Sequence, residues 1–343
     1  MAVTSPLVSI VVVSLNNDTF IAECLSCALA QDYEPLELIV VDQGSRDGTV
    51  AIIQRDFPQV TLLQNDGNTG FAAGMNRGIE RSRGEFVLLL NSDLFLEPGF
   101  VSNAVRCLAS HPAANRVGML ASLVHCHRNG RRTSEVDSTG MMFLPYHAIV
   151  NGGHADRMNW VAGPAGSVMF VTRAMLEDVR LPGGEYLDET YFCYGEDMEL
   201  MLRAQMLGWR CAFVPILAGW HMGGASANAG PRYSDKPAPL LVHALKNRYL
   251  TLVACYPAGL LLWTLPWHLL TECGQLVAPL MARRWTQLGC VIRAHAAATR
   301  LLPYALAKRG WLQRRRRVSC AYLRSLYVAW GPVRTFESLL RKA

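Results

Sequence analysis

Several runs in this sequence carry an apolar strand straight into a polar turn, and the side chains at those exits are the ones able to do chemistry. Phe86-Val-Leu-Leu-Leu-Asn-Ser-Asp93 brings Ser92 and the Asp93 carboxylate to a strand's carboxyl end. That rim is where open α/β sheets bind ligands. Asp93 is suited there to hold Mg²⁺ or Mn²⁺, a hard ion that takes one or two carboxylates and fills its shell from a ligand's phosphates. His221, in the glycine-rich stretch Trp220-His-Met-Gly-Gly-Ala-Ser226, is a second possible ligand or a packing residue. Tyr194-Gly-Glu-Asp-Met-Glu-Leu-Met-Leu-Arg203 sets Glu196 and Asp197 where a loop becomes a helix. Acids there complement the helix dipole. They also suit general-base work, in which one carboxylate takes a proton from an attacking hydroxyl. Glu199 and Arg203, four apart, read as a surface ion pair.

Three further stretches follow the same design. Asp42 leaves a strand tip and is placed to accept from a pyrimidine N3 proton or a ribose hydroxyl, or to cap the following turn. Ser14 leaves the neighbouring strand and flanks the same position, with Asn16 in the turn beyond it. Asp47, in Asp-Gly-Thr, is turn and cap chemistry. Asn68-Thr-Gly-Phe-Ala-Ala-Gly-Met-Asn76 puts Gly70 and Asn76 in a small-residue helix start. Backbone amides there attract phosphate, or the small residues serve close packing on a sheet. Trp160-Val-Ala-Gly-Pro-Ala-Gly166 offers an aromatic face at Trp160 and bare backbone at Gly163, good for a sugar or lipid-linked acceptor; Trp160 equally suits a core.

The elements that position these residues are legible from periodicity. Valine-rich runs at 7–13, 36–41, 60–63 and 86–90 read as parallel strands buried on both faces. Helical patterns follow each of the first three: through Ala30, from Val50, and over 71–81. Strands alternating with helices predict a doubly wound α/β sheet. Further strands are expected at 117–124, 167–172 and 211–214, with a helix over 196–207 ended by Gly208. The division expected is a catalytic domain over 1–230, with halves of about 1–110 and 111–230, and a helical, apolar and basic region over 231–343.

With 343 residues the chain can bury a large core. The net charge of +6 hides an asymmetry: from Arg283 onward 14 Lys and Arg face one acid, Glu337. Between Tyr249 and Ala282 the only charge is Glu272, but Pro257, Pro266 and Pro279 interrupt that stretch. Interfacial helices on an anionic leaflet are expected there, with Arg283, Arg284 and Arg314–Arg317 meeting headgroups. The alternative is a helical domain with a solvated basic face. The ten cysteines show no paired metal spacing and read as reduced thiols. The N-terminus lacks the basic and apolar segments of a leader, so the body is expected at the cytoplasmic face, peripheral or monotopic.

Together the stretches VSIVVVSLNN, LELIVVDQGSRDGT, NDGNTGFAAGMNRGIERSRGEFVLLLNSD, WVAGPAGSVMFVTR, YFCYGEDMELMLRAQMLGW and HMGGAS, spanning about 7–226 in order, resemble the family 2 inverting glycosyltransferases of GT-A fold. Their rhamnosyltransferase-like branch is the nearest. The resemblance implies a Rossmann-like, mostly parallel sheet flanked by helices, a nucleotide-sugar donor, a divalent metal and single displacement. It implies that Asp42 contacts the base, that Ser14, Asn16, Gly70, Asn76, Ser92 and Asp93 form the donor side, and that Asp93 and His221 hold Mn²⁺ or Mg²⁺. Asp197 is then the base, and Glu196, with Trp160 and Gly163, meets a lipid-linked saccharide. Rhamnose from dTDP-rhamnose is the branch-level expectation. Leu15 replaces a common aromatic, and Asn91 stands where many relatives carry an acid. A non-catalytic nucleotide or carbohydrate-binding module needs neither Asp197 nor His221. A nucleotidyltransferase needs a glycine-rich, basic signature that Ser14-Leu-Asn-Asn lacks. Nucleic acid is not expected, because the arginine run lacks interleaved aromatics.

Overall fold

The computed structural model describes residues 5–111, 116–154, 156–223 and 237–328. Strands β1 (Val8–Ser14), β2 (Leu36–Asp42), β3 (Thr61–Gln64) and β4 (Phe86–Asn91) alternate with helices α1 (Ile21–Leu29), α2 (Thr49–Asp56) and α3 (Phe71–Arg81). The four strands are parallel, in the order β4-β1-β2-β3. β1 is buried along its whole length, which is why its valines need no alternation. Register aligns the functional ends: Ser14 pairs with Asp42, and Val13 with Asn91.

The sheet continues through the second half. β5 (Leu94–Leu96), α4 (Phe100–Ala109), β6 (Val117–Arg128) and β7 (Arg131–Ser138) precede a separate hairpin of β8 (Met141–Leu144) and β9 (Ala148–Asn151). β10 (Asn159–Val161), β11 (Val168–Thr172), α5 (Arg173–Val179), α6 (Glu196–Met206) and β12 (Arg210–His221) complete the sheet-bearing part. β11 runs antiparallel between β4 and β6, and β12 lies beside β6. The strand expected at 211–214 is thus one-third of a 12-residue strand, because its outer part pairs with both β5 and β6. Its polar and glycine residues hide that length from a periodicity reading.

Helices α7 (Ala238–Cys255), α8 (Ala258–Met281), α9 (Trp285–Arg300), α10 (Leu302–Arg315) and α11 (Cys320–Ser325) pack onto this body. Leu202, Met206 and Leu207 share one core with Tyr256, Leu260, Leu312 and Leu323. Three expectations are corrected here. Pro266 and Pro279 lie inside α8 rather than ending it. The helix is held across them by its inward face, where Tyr249 donates to Glu272 at 2.9 Å and Arg248 to Gln275 at 3.1 Å. Glu199 and Arg203 are fully buried, not a surface pair. They meet bidentately at 2.8–2.9 Å, and Lys308 from α10 reaches Glu199 at 2.8 Å and Asp188 at 2.5 Å. Finally, Arg315 and Arg317 do not point to a headgroup layer: with Arg116 they surround the Asp178 carboxylate at 2.7–3.0 Å. One carboxylate on the sheet-bearing body collects three guanidiniums and so ties the tail to it.

Candidate active site

A cavity of about 690 Å³ opens beside the carboxyl end of β4. Asn91, Gly166, Glu196, Asp197, Asp137 and His221 are among its walls, together with the apolar residues Phe71, Met141, Ile149 and Leu240. The loop that feeds α6 is built for one conformation. Phe192 and Tyr194 have φ of 64° and 67°, unfavourable for residues with side chains, and Gly195 follows at 88°. What fixes them is Asn247 of α7, whose amide donates to the carbonyls of Tyr191, Cys193 and Tyr194 at 2.6–2.9 Å. Lys246 holds the carbonyl of Thr190. Helix α7 therefore aims the acids at the head of α6.

Glu196 is buried, and its Oε2 has no hydrogen-bond partner among the described residues. Asp197 stands on the cavity wall, its Oδ1 accepting from the Met198 amide at 2.7 Å. Opposite its other oxygen lies Gly166: a Cβ there would sit 2.2 Å from Oδ2, so only glycine leaves the carboxylate its place. Burial pushes both acids up, Glu196 to about 8 with the charge of Asp197 adding to the effect. For Asp197 burial is opposed by the Met198 amide. Glu196, at about 8, keeps its proton near neutral pH and can donate a hydrogen bond beside the Asp197 carboxyl.

His221, at the end of β12, lies between two carboxylates. Its Nε2 is 3.4 Å from Asp93 Oδ1, and its Nδ1 is 3.0 Å from Asp137 Oδ2. Burial disfavours charge on the ring, but the hydrogen bond to Asp137 and the charges of Asp93 and Asp137 outweigh it and raise the pKa to about 9. Asp93 Oδ2, Asn91 Oδ1 and His221 Nε2 are buried without hydrogen-bond partners among the described residues. Such orphaned oxygens and an imidazole nitrogen fit a hard divalent cation. No group of three or more His, Cys, Asp or Glu is arranged around a common metal position among the described residues; the candidates there are Asp93 and His221, with the Asn91 amide oxygen.

At the paired ends of β1 and β2, Asp42 caps the turn that follows it and keeps one oxygen unused. Its Oδ2 accepts from the amides of Gly44 and Ser45 at 2.9–3.0 Å, closing the turn, while its buried Oδ1 is unpartnered among the described residues. The paired Ser14 hydroxyl is likewise buried and unpartnered. Asn16, at φ 48°, bonds the Ser45 and Arg46 turn, and the Ser92 carbonyl accepts from Asn17 at 2.8 Å. Asp47 caps Thr49 as expected of it.

Four residues are placed elsewhere. Gly70, at φ 97°, packs its α-carbon on Phe192, where a Cβ would come within 2.6 Å of the ring. Asn76 spends both amide hydrogens and its oxygen on Tyr186, Leu187 and Glu189, so it ties α3 to the 186–189 loop and has nothing left for a donor. Trp160 lies on edge strand β10 under the Arg210 guanidinium at 3.5 Å, away from the cavity walls. Gly163 admits Met201 of α6, whose sulfur would be 1.6 Å from a Cβ. The aromatic and the bare backbone that looked like an acceptor platform are thus packing devices. The wall is supplied instead by Ala165, Gly166 and the β8–β9 hairpin. Gly224–Ser226, the end of the glycine-rich stretch, lie outside the described residues. Asp137 was not singled out by sequence: it lies in β7, a polar and mostly exposed strand, so no apolar run marks it.

Residues 5–234 match the family model described as glycosyltransferase like family 2. An N-acetylglucosaminyl-diphospho-decaprenol L-rhamnosyltransferase of Mycobacterium tuberculosis is 26% identical over 231 residues, 60% of this chain and 72% of that protein. The succinoglycan biosynthesis protein ExoO of Rhizobium meliloti is 28% identical over 211 residues, 61% of this chain and 59% of ExoO. The putative glycosyltransferase EpsH of Bacillus subtilis is 32% identical over 104 residues, only 30% of either chain. Among solved structures, S. aureus TarS 1-349 in complex with UDP-GlcNAc superposes with a TM-score of 0.53 at 17% identity, covering 90% of this chain and 89% of that one. The mannosyltransferase PcManGT from Pyrobaculum calidifontis, in complex with GDP-Man and Mn²⁺, superposes with a TM-score of 0.50 at 19% identity, over 87% and 88%.

Proposed function

Because the chain belongs to glycosyltransferase family 2, with a GT-A fold, we propose that it transfers rhamnose from dTDP-rhamnose to a lipid-linked saccharide, with inversion, in cell-envelope glycan synthesis. One observation carries the reading: Asp197 and His221 line a single cavity next to the strand ends that present Asp42, Ser14 and Asn91. The likeness to the M. tuberculosis rhamnosyltransferase supports the choice of sugar and of acceptor class.

The chemistry follows from the residues. Ser14 and Asp42 bind the base and ribose with their unpartnered oxygens. Asp93 and His221 would hold Mn²⁺ or Mg²⁺, which when bound offsets charge developing on the departing diphosphate. Glu196, protonated, donates to the acceptor and orients it. Asp197 removes the hydroxyl proton as that oxygen attacks the anomeric carbon from the face opposite the leaving group. The apolar wall of Met141, Ile149 and Leu240 accommodates the non-sugar part of an amphipathic acceptor.

The acceptor class also fits α8. No helix among the described residues is long and apolar enough to cross a membrane. Yet α8 exposes Leu262, Leu265, Leu269, Leu276 and Leu280 at helical spacing on one side, Leu262 at 70% and Leu269 at 57%. Its acid, Glu272, turns inward to Tyr249 and His295, while Arg283, Arg284 and Arg293 are exposed nearby. An apolar stripe bordered by arginines suits the surface of an anionic bilayer at the cytoplasmic face of the membrane.

A thermal-shift screen of the purified protein against nucleotide sugars with Mn²⁺, followed by transfer assays on membrane lipid extracts, tests the reading. dTDP-rhamnose is expected to stabilise most. A UDP-sugar as best stabiliser overturns the sugar assignment, and no transfer from any donor overturns the reaction.

A further inference from the structure

Two carboxylates contact His221, and they do not play the same part. Asp93 approaches Nε2, the nitrogen that has no hydrogen-bond partner among the described residues. Asp137 takes Nδ1–H at 3.0 Å, on the other side of the ring. The backbone explains how Asp137 reaches it. β6 and β7 pair Val124 with Ser138 and then His125 with Val136, so one step on β6 spans two on β7 and Asp137 is the extra residue. A β-bulge of this kind re-aims a side chain beside a site. His221 is in turn fixed by pairing of β12 with Cys126 of β6 and Leu94 of β5.

We infer that Asp137 is a positioning residue: it anchors His221 through Nδ1–H, and so directs Nε2 toward Asp93, the two groups that would hold a divalent cation. Such an outer carboxylate would fix the tautomer of a metal-ligating histidine and raise the basicity of its ligating nitrogen. It matters here because the site has few acids. With Asn91 in place of a carboxylate, and Asp93 and His221 the candidate ligands among the described residues, the orientation of one imidazole would decide a large share of the binding. The inference rests on the proposed metal site but not on the identity of the sugar.

The test is Mn²⁺ affinity, read by electron paramagnetic resonance with excess dTDP, for wild type, Asp137→Ala and Asp137→Asn. Removing such an outer partner costs about 10–100-fold in metal affinity. Asp137→Ala should lose that factor, and Asp137→Asn, whose amide oxygen still accepts from Nδ1–H, should recover much of it. Metal-free dTDP affinity and melting temperature should match wild type in both, which separates positioning from a structural role. Wild-type Mn²⁺ affinity in Asp137→Ala refutes the inference. Equal losses in both variants refute it too, since they make Asp137 a direct charged ligand. No Mn²⁺ binding by wild type removes the inference and the metal site together, while the donor screen still decides glycosyl transfer separately.

Discussion

Gly166→Ala isolates the geometry of the base from everything else. Gly166 has no left-handed φ, so its backbone accepts alanine; the obstacle is Asp197, with Oδ2 at 2.2 Å, Cγ at 3.0 Å and Cβ at 3.3 Å from the added carbon. Ordinary contact begins near 3.4 Å. The carboxylate must therefore swing by about 1 Å, and its root, at the start of α6, cannot follow freely. Misplacement of a catalytic group on that scale costs about 100-fold in turnover, or about 2.7 kcal/mol in the barrier. Gly163→Ala, three residues earlier, is the control. Its added carbon strikes the Met201 side chain in the core, so the cost is overpacking of about 1–3 kcal/mol in stability. Steady-state kinetics with calorimetric donor binding, beside thermal melts, distinguishes them. Gly166→Ala should lose kcat with donor affinity and melting temperature preserved. Gly163→Ala should melt earlier and keep its kcat well below its melting point. Full turnover in Gly166→Ala, or equal loss of donor affinity, refutes the assignment of Asp197 to the reacting centre.

Because burial raises Glu196 to about 8, activity should fall as pH rises through that value and the neutral donor is lost. Glu196→Gln should flatten this limb in a kcat/KM profile, and a limb unchanged by the substitution argues against a protonated Glu196. Burial opposes the charge on Glu199, but Arg203 and Lys308 outweigh it and depress its carboxyl to about 2. Its contribution to stability is therefore complete above the ordinary value of 4.5 and is lost as pH falls toward 2. Lys308→Met leaves Asp188 and Glu199 short of a buried partner and should cost about 3–5 kcal/mol in chemical denaturation; a loss below about 1 kcal/mol rejects the buried network. Stringent chelation should abolish transfer, and Mn²⁺ or Mg²⁺ should restore it; undiminished turnover excludes an essential ion. Full-length protein should float with phosphatidylglycerol vesicles at low salt and cease to do so with Leu269→Glu and Leu276→Glu together, whereas unchanged flotation moves the contact away from α8.

The parallel half of the sheet was legible because buried strands write continuous apolar runs, and β1, β2 and β4 needed no more than that. The site's acids were legible for a related reason: Asp42, Asp93, Glu196 and Asp197 each follow such a run or head a helix. Residues whose role depends on packing partners were not. Asn76 and Gly163 looked like ligand-facing small and polar residues, and only the positions of Glu189 and Met201 reveal them as fastenings. Glu199 and Arg203 kept the spacing of a surface pair because sequence carries no record of α10 closing over them with Lys308. Asp137 was hidden by a bulge, a one-residue slip in pairing that leaves no trace in periodicity.

Asp197→Asn, assayed for donor binding by calorimetry and for transfer in a single-turnover experiment, weighs the whole account. A carboxylate replaced by an amide of the same shape keeps the cavity and removes the proton acceptor. Donor affinity should stay within about threefold of wild type while transfer falls by about 10²–10⁴, the range supplied by a positioned general base. Transfer at the wild-type rate would contradict it.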